Sequence, residues 1–307
     1  MQPATLPQLQ VFLTVARHRS FSGAAREMGV STSAVSQAVK QLEDQLRVVL
    51  LTRTTRSVLP TEAGTRLLET AGPAVKQAFD ALAQVSAKPG EVVGRVKISV
   101  SHMAVPFVIT PVVPTFRARH PRIDLEIVVE DRLVDLVGEG YDAGVRLTES
   151  IDRDMVQVRL SDEFRFVIVG TPEYLAKNGT PQKPEDLLRH ECIMLRAPTS
   201  GTLYSWELER GRRKWNIAAR GGILTNEPQL NVAMAEQGLG LTHTFEPWVT
   251  ESIRAGRLKT VLDAYAPKVP GFFLCFPSRA QSSPALRLFV DVARELLVPP
   301  TTTARRA

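Results

Sequence analysis

Residues 20–43, SFSGAAREMGVSTSAVSQAVKQLE, hold the feature that most constrains the fold, a single glycine between two short helical patterns. Gly29 suits the left-handed backbone position at which a helix ends. Ala25 precedes it by four residues and Val35 follows it by six. The small alanine allows a second helix to cross closely, and the branched valine fixes that crossing. The spacing therefore predicts a helix-turn-helix, whose second helix enters the major groove of DNA.

The residues around this motif predict the bounds of three helices. The first is expected over residues 6–17, where apolar residues recur three and four positions apart. The second is expected to begin after Ser22, a residue type that caps helix N-termini. The third is expected to be capped by Ser31 or Thr32 and to reach about Gln45.

The exposed face of the third predicted helix carries short side chains that form hydrogen bonds. These residue types suit base edges and phosphates, whereas an ordinary helical hairpin, the alternative, does not require them. We expect three of them to lie nearest the bases: Thr32, Ser33 and Gln37. Two more are expected to hold phosphates: Ser36 and Lys40.

Residues 50–59 predict a wing, a hairpin of two short strands at residues 50–52 and 57–59. The turn between them is basic, so Arg53 and Arg56 are expected at the sugar-phosphate backbone or in the minor groove, with Thr54 in the same DNA-binding set. A solvated arginine turn is the alternative. The place of the turn directly after a helix-turn-helix favours the wing.

The net charge of +6 is concentrated in the first 61 residues, which we call the head. The head has seven Lys and Arg against three acids, and the other 246 residues supply only +2. A basic module on a nearly neutral body is typical of a polyanion-binding head joined to a regulatory domain. An excess of only +4, beside so large a body, argues against a nonspecific architectural DNA binder, which is one alternative.

Residues 62–87 predict a connecting helix with an apolar seam of heptad spacing, formed by Leu67, Ala71, Ala74, Ala78, Ala81 and Val85. This pattern indicates contact between two helices, and packing of the helix on its own domain is the alternative. Proline costs about 3 kcal/mol inside a helix, so a kink or break is expected near Gly72–Pro73. Residues 88–92 are expected to separate this helix from the next domain.

The remaining chain alternates strand and helix patterns, which implies an open sheet with helices on both faces. The predicted strands are residues 96–100, 123–129, 143–147, 165–170, 241–245 and 272–277. The predicted helices are residues 105–119 and 133–138, one opened by TPEYL, one ending in Gly238 and Gly240, and residues 283–298.

The helix-turn-helix and the stretch LLTRTTRSVLPTEAG strongly resemble the LysR-type transcriptional regulators. The resemblance is dense over residues 6–66 and continues more weakly to about residue 298. Two departures stand out, because the family usually has glycine at Arg47 and glutamine at Thr32. Thr32 has a shorter reach than glutamine, so base preference at this position is expected to differ.

The resemblance implies an α/β protein with an N-terminal all-α winged helix-turn-helix, a linker helix and a two-subdomain, periplasmic-binding-protein-like effector domain. The corresponding division is residues 1–61, 62–90 and 91–300. Subdomain I then takes about 91–164 and 269–300, and subdomain II about 165–268. Self-association through the linker helix, as a homodimer or homotetramer, is also implied.

The resemblance further implies a small-molecule effector in the cleft between the subdomains, where such sheets bind ligands at the carboxyl ends of their strands. The matching positions are Ser99, Ser101, His102, Met103, Glu130, Arg146, Asn226, His243 and Thr244. Arg146 could hold a carboxylate with two hydrogen bonds, which favours a small acid. As alternatives, Arg146 pairs with Glu130 or Asp131, and the histidines are structural.

Other functions lack their motifs in this sequence. There is no P-loop, H-E-x-x-H or G-x-S-x-G, and the histidines show no metal-ligand spacing with the two cysteines. We therefore expect no cofactor and no metal. The cysteines are interpreted as buried reduced thiols, with a redox pair as the alternative. An enzyme or an exported solute carrier is the competing function, and the absence of a nucleophile–base motif and of an export signal in the first residues disfavours it.

These patterns together predict a cytoplasmic, sequence-specific DNA-binding transcription regulator that responds to a small-molecule effector. Its expected partners are double-stranded DNA, the effector and further copies of the same chain.

Overall fold

The computed structural model describes residues 6–53, 58–85, 91–147, 155–197, 201–278 and 283–298. The chain divides into two compact units. The first unit comprises Met1–Arg146, Ser150–Leu160 and Phe273–Ala307, and the second comprises Leu147–Glu149 and Ser161–Phe272.

Three helices open the first unit: α1 (Leu6–His18), α2 (Phe21–Met28) and α3 (Thr32–Leu46). They bury one shared apolar core, which includes Phe12, Val15, Ala24, Ala25, Val35, Val39 and Leu42. Ser20, rather than the predicted Ser22, caps α2, and its Oγ accepts the N–H of Gly23 at 3.1 Å. The helix therefore begins at Phe21, whose side chain packs against this core, and the predicted start after Ser22 was wrong.

The turn between α2 and α3 has the predicted geometry. Gly29 adopts φ 66° and ψ 29°, and its N–H bonds back to the carbonyls of Ala25 and Arg26. A side chain would strain this left-handed backbone. Ser31, one of the two predicted caps of α3, accepts the N–H of Ala34 at 3.2 Å.

The wing follows as two antiparallel strands, β1 (Leu51–Arg53) and β2 (Val58–Pro60), which lie one residue later than predicted. Glu43 of α3 supports β1, because its Oε1 accepts the N–H groups of Leu50 and Leu51 at 2.7 and 3.1 Å. This carboxylate satisfies backbone donors at the start of the wing and fixes the strand against α3.

The connecting helix, α4 (Glu62–Val85), begins in close contact with the wing. Thr61 Oγ1 accepts the N–H of Gly64 at 3.1 Å and donates to the carbonyl of Val49 at 2.7 Å. A Cβ atom on Gly64 would lie 2.1 Å from the carbonyl oxygen of Leu50, so only glycine fits there. The helix continues through Pro73, so a break, one of the two predicted outcomes, is absent, and a kink there stays a prediction. Proline removes one hydrogen bond but keeps a helical φ, and Ala71 and Ala74, which are strong helix formers, lie on either side of the Gly72–Pro73 pair.

The rest of the described chain contains thirteen strands and five further α-helices. The strands are β3 (Gly94–Val100), β4 (Ile123–Val129), β5 (Ala143–Leu147), β6 (Met155–Arg159), β7 (Phe164–Gly170), β8 (Met194–Leu195), β9 (Trp206–Arg210), β10 (Arg213–Ile217), β11 (Leu224–Thr225), β12 (Thr242–Phe245), β13 (Lys259–Val261), β14 (Lys268–Val269) and β15 (Phe272–Pro277). The helices are α5 (Thr110–Arg119), α6 (Pro172–Asn178), α7 (Pro228–Glu236), α8 (Glu246–Arg254) and α9 (Pro284–Leu297).

The first unit contains a five-stranded sheet in the order β4-β3-β5-β15-β6. Strands β3, β4 and β5 are parallel, so their carboxyl ends meet at one edge. On one side of the core the rings of Phe116 in α5 and Phe289 in α9 meet edge to face, with centroids 5.3 Å apart. The predicted helix 105–119 begins as a π-helical turn at Val105–Ile109 before α5.

The predicted helix over residues 133–138 is wrong, because residues 136–140 form turns instead. The carboxylate of Asp135 accepts the N–H groups of Val137 and Gly138 at 3.1 and 2.9 Å. This local bonding replaces the hydrogen bonds of a helix.

The second unit is built on β7, which pairs antiparallel with β12, β13 and β14. Strands β9 and β10 form a separate antiparallel hairpin, and β8 pairs parallel with β11. One apolar core of this unit includes Ile168, Trp206 and Leu241, and another includes Val167, Val169 and Val249. Among the described helices of both units, none combines the length and the apolar character needed to cross a bilayer.

Candidate DNA-binding surface and effector site

Helix α3 has one buried face and one polar face, as the sequence predicts. Its buried positions are Val35, Val39 and Leu42, each about 1 % exposed. With 3.6 residues per turn, the polar positions fall on the opposite side. Of these, Thr32, Ser33, Gln37 and Lys40 are exposed and Ser36 is half-buried. The helix therefore presents a continuous row of hydrogen-bonding groups to solvent.

The predicted contacts of the wing are only partly described. Arg53 is the last residue of β1 and lies opposite Val58 in the register of the wing. The side chain of Arg53, and the whole of Thr54 and Arg56, lie outside the described residues.

Arg47 closes α3 in a conformation that glycine adopts without strain. Its φ is 53° and its ψ is 36°, and its N–H bonds to the carbonyl of Glu43. This backbone geometry explains why the LysR-type regulators that this sequence resembles usually have glycine at this position.

A polar cluster lies where the carboxyl ends of β3, β4 and β5 meet, and it contains three of the predicted effector residues. Ser99 donates to Glu130 Oε1 at 3.0 Å, and Arg146 Nη2 donates to Ser99 Oγ at 2.6 Å. Ser99 is fully buried. The topology brings these side chains together, because each follows or ends a neighbouring parallel strand.

Two members of this cluster were not predicted. Tyr141 donates its hydroxyl to Glu130 Oε1 at 2.7 Å, and burial together with this bond raises the pKa of Tyr141. Arg132 places Nε 2.6 Å from Glu130 Oε2 and also pairs with Glu139. Hydrogen bonding to Arg132 lowers the pKa of Glu139 in spite of partial burial. Glu130 is thus fully engaged without the guanidinium of Arg146.

Arg146 is a buried cation without a carboxylate partner in the described part of the chain. It is 8 % exposed, and it donates hydrogen bonds to Ser99 Oγ and to the carbonyl of Val145, the latter at 2.9 Å. Burial lowers its pKa, and the more distant negative charges of Glu130 and Asp131 oppose that effect. The expected alternative, direct pairing with Glu130 or Asp131, is therefore not what the structure shows.

The loop after β3 places His102 at the rim of the cluster. Asp131 holds it twice, through the backbone N–H at 2.9 Å and the ring Nδ1 at 3.0 Å. Ser101 Oγ is buried and has no hydrogen-bond partner among the described residues. Met103 is half-buried beside it. Ser101 Oγ is thus a buried, unbonded polar atom in the same loop as His102.

His243, in the second unit, lies among aromatic rings. Its ring centroid is 5.5 Å from Phe166, 6.3 Å from Tyr204 and 5.8 Å from Trp206. Its Nε2 is buried and has no hydrogen-bond partner within the described ranges. Burial lowers the pKa of His243 to about 4, so the ring is neutral near pH 7.

Thr244 does not share a face with His243. The two are consecutive in β12, where His243 pairs with Ile168 and Thr244 pairs with Val167. Successive side chains of a strand point to opposite faces, so one ligand surface takes only one of them. Thr244 is buried, and its Oγ1 has no partner among the described residues. Asn226, after β11, is exposed.

A separate cavity of about 760 Å³ lies elsewhere in the first unit. It is lined by α1, α4 and the turn before β5, and it includes Tyr141 but not Ser99, Glu130 or Arg146. The polar cluster is therefore the candidate effector site because its side chains are buried and hydrogen-bonded, and not because of this cavity.

The cysteines and acidic residues offer no further reactive centre in the described chain. Burial raises the pKa of Cys192 to about 12 and also raises that of Cys275, so both thiols are protonated near pH 7. No group of three or more His, Cys, Asp or Glu within the described ranges could hold a metal ion.

Two family models match the chain. Residues 6–65 match the bacterial regulatory helix-turn-helix protein of the lysR family, and residues 89–298 match the LysR substrate binding domain. The HTH-type transcriptional regulator PgrR of Escherichia coli is 36% identical over 291 residues, which cover 95% of this chain and 97% of PgrR. The HTH-type transcriptional regulator PtxR of Pseudomonas aeruginosa is 31% identical over 292 residues, or 95% and 93% of the two chains.

Solved structures share the fold. CrgA, a LysR-type transcriptional regulator from Neisseria meningitidis, matches with a TM-score of 0.57 and 28% identity. The match covers 94% of this chain and 98% of CrgA.

Proposed function

The chain belongs to the LysR-type family of transcriptional regulators, and we propose that α3 reads its operator while a small acid bound at Arg146 controls it. Members of this family are DNA-binding regulators with a substrate-binding domain, and they are not enzymes. The operator sequence and the effector are the specific parts of the proposal.

The exposed polar face of α3 is the observation that supports DNA reading. Thr32, Ser33 and Gln37 are proposed to meet base edges in the major groove, and Ser36 and Lys40 to meet phosphates. Arg53, Thr54 and Arg56 are proposed to extend these contacts along the backbone or into the minor groove. Thr32, where relatives usually have glutamine, is the position at which base preference is proposed to differ.

The buried guanidinium of Arg146 is the observation that supports an acidic effector. A buried charge without a counter-charge is costly, and a bound carboxylate would supply that counter-charge. Ser99, Ser101 and His102 are proposed to add donors, and Met103 and Glu130 to line the same site. From the second unit, Asn226 and His243 are proposed to contact the effector, and the effector is proposed to bind between the two subdomains. Thr244, although predicted for this site, lies on the other face of β12, so it is not proposed to contact the same effector as His243.

The remaining proposals concern organisation. We place the winged helix-turn-helix at residues 1–61, the linker at 62–90 and the effector domain at 91–300, with subdomain II at about 165–268. The exposed apolar residues Phe79 and Leu82 of α4 support self-association as a homodimer or homotetramer. The protein is proposed to act in the cytoplasm, where its DNA is.

A footprint on the DNA upstream of its own gene tests operator recognition. Folded full-length protein is expected to protect a defined segment at moderate salt, with half-sites spaced by helical turns. Lys40→Ala should weaken protection, whereas the exposed Lys177→Ala in the second unit should not. No protection by correctly folded protein would remove this function.

A thermal-shift screen of small acids and amines on the full-length protein tests the effector. A ligand that binds only the native state raises the unfolding temperature by mass action. Acids are expected to give the hits, and Arg146→Met should abolish them. Hits among amines only would overturn the assignment of an acidic effector.

A further inference from the structure

The hairpin of β9 and β10 in the second unit carries a dense run of positive charge. Four of five consecutive positions are cations, and all four are exposed: Arg210, Arg212, Arg213 and Lys214. The fifth, Gly211, has φ 62°, which fits the first central position of a two-residue type II′ turn. The charges therefore sit at a short, well-defined tip.

Strand pairing places two of these cations directly opposite each other. Arg210 and Arg213 are register partners, while Lys214 lies opposite Glu209. Like charges at facing positions destabilise a sheet. Within the described residues, no carboxylate lies close enough to form an ion pair with any of the four cations. The negative charge of Glu185 interacts with Arg213 and offsets part of this repulsion, and an external anion would relieve the rest.

Aromatic rings hold both facing arginines in place. The guanidinium of Arg213 lies 4.6 Å from the ring centroid of Trp215, and that of Arg210 lies 5.3 Å from Tyr265. Arg210 Nη1 also donates to the hydroxyl of Tyr265 at 3.3 Å. The two rings meet edge to face at 5.3 Å, and Trp215 Nε1 donates to Glu185 at 3.1 Å. Arginines held in this way lose less conformational entropy when they bind an anion.

We propose that the hairpin tip, residues 210–214, is a second phosphate-binding surface for duplex DNA. Planar guanidinium groups match phosphate oxygens with paired hydrogen bonds. The chain outside the head has a net charge of only +2, so this tip is a local concentration of charge rather than part of a generally basic body. DNA already bound by the head is present at high effective concentration, so a weak second contact is enough to add affinity.

Salt-dependent binding of the full-length protein to a long random-sequence duplex tests this surface. The test variant is Arg212→Gln with Arg213→Gln, and the control is Lys177→Gln with Lys259→Gln. Both remove two exposed positive charges from the second unit. Each lost phosphate contact lowers the slope of log K against log salt by about 0.9. The hairpin variant is expected to lower the slope by about 2 and to weaken binding several-fold at low salt, while the control stays near wild type.

Arg212→Gln alone is a second test variant that is not expected to disturb folding, because the Arg212 side chain forms no hydrogen bond or ion pair with the described residues. It should lower the slope by about 1. Equal slopes for hairpin variant, control and wild type would overturn the proposal. An unchanged salt slope for DNA together with lost binding to polyglutamate would also overturn the proposal, because this result would assign the tip to an acidic protein. Lys40→Gln tests the head separately, so a failure of α3 to bind DNA is distinguishable from a failure of the hairpin.

Discussion

At the residue scale, Arg47 occupies a backbone position that costs a non-glycine residue free energy. Its left-handed φ of 53° follows α3 and precedes the wing. Such a conformation costs about 1–2 kcal/mol for a residue with a Cβ atom. Arg47→Gly is expected to increase the free energy of unfolding of the head by about 1 kcal/mol, as measured by hydrogen exchange of the α3 amides.

Arg47→Ala separates strain from charge, since alanine keeps the Cβ atom and removes the guanidinium. This variant should show no gain in exchange protection. Equal protection in the glycine and alanine variants would mean that the backbone at this position is not strained.

Arg146 provides a second prediction at this scale. Replacing a buried, unpaired charge with an apolar side chain of similar length is often neutral or stabilising. Arg146→Met should therefore keep or raise the unfolding temperature while losing the response to acids. A large loss of stability would instead assign Arg146 a structural role.

The neutral ring of His243 predicts a pH dependence of stability. Its pKa is about 4 in the folded protein, against 6.5 as the ordinary value. Between these values the unfolded chain binds the additional proton, so stability falls as the pH drops from about 6.5 to 4. The loss in the free energy of unfolding that is due to this ring should be about 2 kcal/mol. This is less than the full shift in pKa would give, because the residue is only partly buried. Denaturant unfolding of His243→Gln against wild type at pH 7 and pH 4.5 should show a smaller loss in the variant.

At the element scale, the start of α4 depends on the absence of a side chain at Gly64. Alanine normally favours a helix interior over glycine by about 1 kcal/mol. Here its Cβ would lie 2.1 Å from the carbonyl oxygen of Leu50, so Gly64→Ala should destabilise the head by about 2 kcal/mol or more. Gly72→Ala on the same helix is the matched control. Its nearest heavy atom, in Leu13, is 3.6 Å away, so thermal unfolding should show no loss.

Sequence patterns predicted the elements whose residues repeat with a clear period. Strands β4, β5 and β15 have the predicted bounds. Strand β15 is a run of apolar residues, whereas β4 begins with alternating apolar and acidic residues, IDLE. The predictions were wrong where a side chain competes for backbone hydrogen bonds. Asp135 turns residues 136–140 away from a helix, and Ser20 takes the capping position assigned to Ser22.

The residues of the candidate site also fall into those that the sequence could place together and those that it could not. Ser99, Glu130 and Arg146 could be placed together because the ends of parallel strands converge. Tyr141 and Arg132 lie outside the strands, in segments whose sequence has no periodic pattern. Only their positions near a strand end could have suggested a role. The opposite orientation of His243 and Thr244 followed already from strand alternation, because the predicted strand over residues 241–245 includes both residues.

At the scale of the whole molecule, phosphate contacts made by the wing should contribute to the salt dependence of DNA binding. Arg53→Ala is expected to weaken binding to all sequences alike and to lower the salt slope by about 0.9. Arg254→Ala, an exposed arginine in α8, is the control and should leave the slope unchanged. An unchanged slope for Arg53→Ala would refute its contact with phosphate.

The close contact between Gly64 and Leu50 also gives the molecule a mechanical property. Because Thr61 and Gly64 join the start of α4 to the chain that enters the wing, that helix and the wing turn together as a lever arm. The helix has 24 residues, which corresponds to about 36 Å at 1.5 Å per residue. A tilt of about 5° at one end displaces the other by about 3 Å, close to the rise of one base pair. In the proposed DNA complex, whatever orients the far end of α4 therefore aims the wing along the DNA, with no change in the side chains that are proposed to contact it.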